Sequence, residues 1–448
     1  MSAFHAYDIR GIYPAEIDED LTYRIGFYIP ELLKTTNVLV GRDMRLSSPD
    51  LTESLIDGIL ASGANVMYCG LATTPTIYYL TAKFNFEASI MVTASHNGRE
   101  YNGLKISGKQ ALPIAYHNGL ADLEKMIEKP INKNNKRGKK IEFDKKSEYY
   151  SFLEKYVPQN IEDLSISIDC SHGVASLFVK DLLKNKAIIF NDDLDGNFPN
   201  HEANPLEEKN LKQIKEAIIS NKSDFGFIFD GDADRVMVLD EKAQFIPPDL
   251  LIGIMGKYFI KDTKKKYTVL QDIRSSKAIV EYLSKFGNIE MHTWRVGRAF
   301  AAPKLKEIDG LWGGEYAGHY YFKDMYYSDS GIMAMLIILD IFNTEIKAGR
   351  KVSELIDEIK IYHNSGEVNF RIEDKKTAMQ AVIMEMSKKN KPTKTFDFDG
   401  FRLEFEDWWF NIRPSNTEPY LRLLVEAKTQ NLLTEKLSNI KSILKEFE

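Results

Sequence analysis

Residues 230–235 read Asp-Gly-Asp-Ala-Asp-Arg and stand between two apolar runs, Phe225 to Phe229 and Val236 to Leu239. Two short runs rich in aromatic and β-branched residues, joined by small and acidic residues, predict strand, tight turn, strand. Such a hairpin puts three carboxylates at the end of a buried strand, where they repel one another unless a cation sits among them. Hard oxygen ligands of this kind suit Mg²⁺ or Ca²⁺ rather than a thiolate-seeking metal.

An EF-hand calcium loop fits the same segment only in part. Counted from Asp230, acids fall at the first, third, fifth and twelfth places (Asp230, Asp232, Asp234, Glu241), but the sixth place, which needs Gly for a sharp turn, is Arg235. The flanks are strand-like where an EF-hand has amphipathic helices. A solvated acidic turn is the plainer alternative for the segment taken alone.

At 448 residues the chain exceeds one ordinary core, and size alone suggests about three or four domains. Apolar content of 44% with 28% charged residues is that of a soluble globular protein. The net charge is −6, with Lys and Arg spread along the chain, so nucleic acid is not expected as a partner. The basic stretch Lys133 to Lys146 contains Asn, Gly and acids and reads as a solvated loop or linker. Two cysteines, Cys69 and Cys170, build neither a disulfide framework nor a zinc site. The first residues lack the pattern of a signal peptide. Apolar stretches such as Met333 to Ile338 fall far short of the ~20 residues that span a bilayer. A cytoplasmic enzyme with no membrane partner, as a monomer or dimer, is expected.

The first third alternates strand and helix patterns: strands at Val38 to Val40, Asn65 to Cys69 and Ala88 to Val92, helices at Leu51 to Ser62 and Pro75 to Phe84. This rhythm predicts an α/β fold with a mixed or mostly parallel sheet covered on both faces. A second unit runs from the strand Ile166 to Asp169, through a helix at Ser176 to Asn185, to the acidic hairpin. A third carries a helix at Asp249 to Phe259, strands at Thr268 to Gln271 and Glu290 to Trp294, and an apolar helix at Gly331 to Phe342. The last differs, with strands at Gly366 to Ile372, Gly400 to Phe405, Trp408 to Ile412 and Leu421 to Ala427 and helices at Thr377 to Lys388 and Leu432 to Lys445. The expected division is three similar α/β units, 1–148, 149–246 and 247–364, and a C-terminal α+β unit, 365–448, around a central cleft.

Three further loops carry reactive groups. Thr93-Ala94-Ser95-His96-Asn97 follows the apolar strand Ala88 to Val92, which exposes Ser95 in a small-residue turn. A phosphoryl group on Ser95 could share one Mg²⁺ with the three aspartates; a turn serine bonded to its own backbone explains Ser95 alone equally. Arg413-Pro414-Ser415-Asn416-Thr417-Glu418-Pro419 is rich in donors and stiffened by proline, so it is either a phosphate cradle or an ordinary turn. Gly313-Gly314-Glu315-Tyr316-Ala317-Gly318-His319 offers Glu and His, either side of a glycine turn, to sugar hydroxyls.

Taken in order, Thr-Ala-Ser-His-Asn, Asp-Gly-Asp-Ala-Asp-Arg, Gly-Glu-Tyr-Ala-Gly-His and Arg-Pro-Ser-Asn-Thr-Glu-Pro resemble the motifs of the α-D-phosphohexomutase family, and most of all its phosphomannomutase/phosphoglucomutase branch. Ala6-Tyr7-Asp8-Ile9-Arg10-Gly11, Gly41-Arg42-Asp43, Asn102-Gly103-Leu104-Lys105 and Asp195-Gly196-Asn197-Phe198-Pro199 are similar to that branch as well, so the likeness spans nearly the whole chain. The resemblance implies a mutase that interconverts hexose 6-phosphate and hexose 1-phosphate, mannose and/or glucose, through a hexose 1,6-bisphosphate intermediate that also activates the enzyme. It implies Ser95 as phosphoserine, and Asp230, Asp232 and Asp234 with the phosphoserine oxygen as Mg²⁺ ligands. Glu315 and His319 would grip the sugar, and Arg413, Ser415, Asn416 and Thr417 the distal phosphate. Tyr7, Arg10, Lys105 and Arg235 would line the cleft near the reacting centre.

Three departures from the branch matter. Tyr316 and Ala317 stand where it has Met-Ser, which leaves the preferred sugar open. The family's Gly-His or Gly-Asp turn is Val296-Gly297-Arg298, and a motif lysine is Arg274. Arginine holds phosphate but is a poor base, so Lys105 or His96 is expected to handle the proton. Phosphoglucosamine mutase and a metal-dependent sugar phosphatase are the alternative readings.

Overall fold

The computed structural model describes residues 3–131, 136–184, 186–389, 391–415 and 420–448. Asn416 and Thr417 of the proposed phosphate cradle, and part of the Lys133 to Lys146 stretch, lie outside them.

Among these residues the strands form four sheets. In the first, Asn37–Arg42, Asn65–Leu71, Ala88–Val92 and Lys140–Glu142 run parallel, and Tyr101–Gly108 and Ile9–Ile12 add antiparallel at one edge. Sequence pattern explains the layering. Val38 and Val40, like Ala88, Ile90 and Val92, enter one apolar cluster, while Leu39 and Met91 between them enter another. Side chains alternate across a strand, so a run apolar at every position feeds cores on both faces. The helices Glu19–Leu32 and Ser48–Ala61 cover one face.

The second sheet holds Ile166–Asp169, Ile188–Phe190, Phe225–Phe229, Val236–Asp240 and Phe245–Ile246. Phe229 pairs with Val236 antiparallel, which leaves residues 230–235 as the hairpin turn. Glu241, the twelfth position of the EF-hand count, is taken up by Ser353, whose hydroxyl donates to Glu241 Oε1 at 2.6 Å. The third sheet, Asn288–Trp294, Lys266–Asp272, Trp312–Gly314 and Tyr320–Phe322, is parallel except at its last strand. The fourth is antiparallel throughout and is built on Trp408–Pro414 and Leu421–Ala427, backed by the helices Lys375–Lys389 and Gln430–Leu444. The fold is therefore α/β in three layered units with a distinct C-terminal unit.

Three local expectations change. Lys140–Glu142, read as linker, is the outer strand of the first sheet. The helix expected over Asp249 to Phe259 is two, Pro248–Ile254 and Gly256–Phe259, with the weak helix former glycine at the joint. The strand Gly366 to Ile372 shortens to Val368–Phe370. Both cysteines are buried and free, and no helix among the described residues is long and apolar enough to cross a membrane.

Candidate active site

The acidic turn and the Ser95 loop meet. Ser95 lies just beyond the strand Ala88–Val92, is 2% exposed, and adopts φ +53°. Left-handed backbone is unfavourable for a serine and persists where surrounding contacts fix it. Ser95 N–H donates to Thr93 Oγ1 at 2.9 Å, and its hydroxyl donates to Asp230 Oδ2 at 2.9 Å. Gly231 explains the close approach, since a Cβ there would stand 2.6 Å from the Ser95 carbonyl oxygen.

Asp230, Asp232 and Asp234 each bring a carboxylate oxygen within 4.8 Å of the other two. Asp232 Oδ1 and Asp234 Oδ1 are buried and lack a hydrogen-bond partner. Orphaned carboxylate oxygens in a dry site are what a bound dication would satisfy, so the donor set fits a hard metal ion. The opposite oxygens are occupied: Lys105 Nζ donates to Asp232 Oδ2 at 2.6 Å and to Asp234 Oδ2 at 2.5 Å, and Thr74 Oγ1 donates to Asp232 Oδ2 at 2.5 Å. Arg235 Nε donates to Asp230 Oδ2 at 2.9 Å, and its Nη2 is buried without a partner.

Charge states follow from this packing. Burial and the neighbouring Asp234 carboxylate push Asp230 up to about 7, against the pull of Arg235. Burial opposes the charge on Lys105, but Asp232 and Asp234 outweigh it and hold the ammonium well above its usual range. Burial, then the cations Arg235, Arg10 and Lys105, push His96 well below the usual imidazole range, so it is neutral. Its Nδ1 is 3.4 Å from Ser95 Oγ. Arg10 bridges Asp8 and Asn97, each at 2.5 Å.

A cleft of about 900 Å³ opens beside this centre. Tyr7, His96, Arg235, Arg274, Glu315, His319, Arg413 and Ser415 all line it. Glu315 Oε1 accepts from Tyr321 at 2.6 Å, and burial raises its carboxyl. His319 Nδ1 lies 2.7 Å from Asp329 Oδ2; burial is outweighed by Asp234 and Asp329, so its imidazole is raised. Arg274 is held by Asp272, with its Nη2 2.6 Å from Asp272 Oδ2, and stacks near the Tyr316 ring. Arg413 is 4% exposed, its Nη2 is 3.3 Å from Glu367, and its Nε is unpartnered. Such a guanidinium, buried in the wall of a cleft, suits an incoming anion.

Arg298 is placed differently. It donates to Asp329 Oδ1 at 3.0 Å and to the Ala111 carbonyl at 2.6 Å, and its guanidinium lies 3.5 Å over the Tyr78 ring. It reaches the site through Asp329 and His319 rather than as part of the cleft wall. Thr74, Asp329 and Glu367 are not legible as site residues in the sequence. Thr74 follows Thr73 and precedes Pro75, a helix-start signal, and Asp329 lies in the Ser-Asp-Ser just before the apolar helix; neither signal points to its long-range partner.

Models of the phosphoglucomutase/phosphomannomutase family match the chain in order: alpha/beta/alpha domain I over residues 1–137, alpha/beta/alpha domain II over 147–243, alpha/beta/alpha domain III over 247–362 and the C-terminal domain over 367–440. The chain belongs to this family, whose members are phosphotransferase enzymes. It is 35% identical to a phosphomannomutase of Methanocaldococcus jannaschii, an alignment covering 100% of this chain and 98% of that one. It is 32% identical to a phosphomannomutase of Vibrio cholerae, over 100% and 99% of the two chains. A solved phosphoglucomutase/phosphomannomutase family protein of Burkholderia thailandensis superposes with a TM-score of 0.89 at 25% identity, covering 99% of this chain and 97% of that one.

Proposed function

We propose that this hexose-phosphate mutase interconverts hexose 1-phosphate and hexose 6-phosphate, of mannose and/or glucose, by way of phosphorylated Ser95 and a hexose 1,6-bisphosphate that also serves as activator. The observation that carries the reading is the 2.9 Å contact of Ser95 Oγ with Asp230, beside two buried carboxylate oxygens that lack hydrogen-bond partners.

Asp230, Asp232 and Asp234 would hold Mg²⁺ together with a phosphoserine oxygen, and a bound Mg²⁺ supplies charge stabilisation to the transferring phosphoryl group. The chain's own groups do the rest. Arg413 and Ser415 hold the non-reacting phosphate, Glu315 and His319 hold ring hydroxyls, and Arg235 and Lys105 face the reacting end. In the forward transfer a sugar hydroxyl oxygen bonds to phosphorus as the phosphorus–Oγ bond of Ser95 breaks; the hydroxyl proton leaves to a base, and the freed Oγ takes a proton from His96, which becomes neutral. In the return, Ser95 Oγ bonds to the other phosphorus of the bisphosphate as the bond from that phosphorus to its sugar oxygen breaks; neutral His96, 3.4 Å from Oγ, takes the serine proton, and the freed sugar oxygen takes back the proton that the base gained in the forward half. Lys105, held cationic, stabilises charge rather than accepting protons. Between the halves the sugar turns end for end, so the cleft recognises what both orientations share: phosphate and the ring hydroxyls. That common recognition separates 2-epimers poorly.

A coupled assay with mannose 1-phosphate, glucose 1-phosphate and glucosamine 1-phosphate, with hexose 1,6-bisphosphate present, tests the reading. Isomer formation from the first two, abolished by Ser95→Ala, is expected. Release of inorganic phosphate without isomer would instead mark a phosphatase, and normal turnover in Ser95→Ala would overturn the assignment.

A further inference from the structure

Two motifs have no part in the chemistry above: Gly41-Arg42-Asp43 with the arginine that follows at 45, and Asp195-Gly196-Asn197-Phe198-Pro199. The fold brings them together. Arg45 is 1% exposed. Its Nη2 donates to the carbonyls of Ser95 at 2.8 Å and Asn97 at 2.6 Å, and its Nη1 to those of Gly98 at 2.7 Å and Tyr101 at 3.0 Å. One flat guanidinium thus fastens four carbonyls of the loop that begins at the reactive serine, including the serine's own. Asp43 holds the clamp from behind: its Oδ2 is 3.3 Å from Arg45 Nε, and its Oδ1 accepts from Arg45 N–H at 3.0 Å and from Ser48 Oγ at 2.5 Å.

The second motif closes over this clamp from the second sheet's unit. The Phe198 ring lies 5.2 Å from Arg45 Cζ. Gly196 rests on the backbone of residues 44–46, where a Cβ would come within 2.7 Å of Leu46 N and 2.8 Å of Arg45 Cα. Phe198 packs with Met44, Val174 and Ala203, and Val174 N–H donates to the Gly231 carbonyl at 3.0 Å. The same packed patch therefore touches the serine loop on one side and the acidic turn on the other.

We propose that Arg45, capped by Phe198, is a positioning residue for phosphoryl transfer: it holds Ser95 in its left-handed backbone conformation and fixes its hydroxyl against the acidic turn. The inference rests on Ser95 being the phosphoryl carrier. Lysine cannot replace the group, because a single ammonium on a flexible stem does not reach four carbonyls with a planar fork.

The test compares Arg45→Lys, Arg45→Ala and Phe198→Leu with the intact protein. Three quantities are read: kcat and KM for mannose 1-phosphate, the rate at which Ser95 gains phosphate from hexose 1,6-bisphosphate by intact mass, and rescue by added guanidinium. Misplacing the oxygen by about 1 Å is expected to lower kcat and the Ser95 phosphorylation rate roughly 100-fold in Arg45→Lys, with KM little changed. Guanidinium is expected to restore part of the rate in Arg45→Ala, and Phe198→Leu to fall in between. A folded Arg45→Lys that phosphorylates at the wild-type rate, or whose loss lies in KM alone, overturns the inference. Should both Arg45 variants fail to fold by circular dichroism, Phe198→Leu decides it: wild-type kcat in that folded variant overturns it. An intact protein that never acquires phosphate on Ser95 would instead refute the mutase reading itself.

Discussion

Ser95 Oγ and Asp230 Oδ2 lie 2.9 Å apart across 135 residues of sequence, one on the first sheet's unit and one on the second's. The contact depends on Gly231, because any side chain at 231 would meet the Ser95 carbonyl.

Gly231→Ala is therefore expected to separate the two loops. The added Cβ would stand 2.6 Å from a backbone oxygen that Arg45 holds in place, so the backbone must give. The expected outcome is a kcat roughly 100-fold lower with a stability loss of about 1–3 kcal/mol, read from steady-state kinetics and urea unfolding. Unchanged kcat would show that the approach is unimportant.

Metal dependence follows from the orphaned oxygens of Asp232 and Asp234. Chelation with EDTA is expected to abolish turnover and added Mg²⁺ to restore it. In Asp232→Asn the loss of one anionic ligand is expected to lower kcat about 100-fold or more and to shift the Mg²⁺ concentration for half activity upward. Full activity after exhaustive chelation would contradict the proposed metal role.

Asp329 is buried beneath both His319 and Arg298. In Asp329→Asn the Arg298 guanidinium loses its buried counter-charge, and a cost of about 3 kcal/mol is expected in urea unfolding. The His319 imidazole, now raised in part by Asp329, is expected to titrate at lower pH, observable by NMR. An unmoved His319 titration would show that Asp329 does not set its charge.

Asp249 gives a pH signature. Burial, with Glu426 nearby, raises its carboxyl to about 7, against about 3.9 in an unfolded chain. Between these values the folded protein binds the extra proton, so this group's contribution to stability falls as pH rises from about 4 to about 7 and is level above. Subtracting the melting profile of Asp249→Asn from that of the intact protein is expected to isolate this slope. A flat difference would contradict it.

Much of the scaffold could be read from the chain because its strands are apolar at consecutive positions. Ala88–Val92, Ile166–Asp169, Phe225–Phe229 and Leu421–Ala427 fall where the pattern puts them. Ile9–Ile12 and Tyr101–Gly108 are not legible as strands in the sequence. They carry Arg10, Asn102 and Lys105, polar residues that lower any strand signal, and they are held as strands by pairing with each other and with Ala88–Val92. The site divides in the same way. Its motifs are local runs, so Ser95, the three aspartates, Glu315 and His319 stood out. Thr74, Arg45 and Asp329 act through partners that only the fold supplies; Thr74 and Asp232 are 158 positions apart.

The seam between the first two sheets has a practical corollary. A fragment ending near residue 137 keeps the proposed nucleophile Ser95 together with Thr74, Lys105 and Arg45, and a fragment starting near 147 keeps the three aspartates. Neither half owns a complete reaction centre. Mixing the severed pieces and asking whether turnover returns would thus report on how well that seam reassembles.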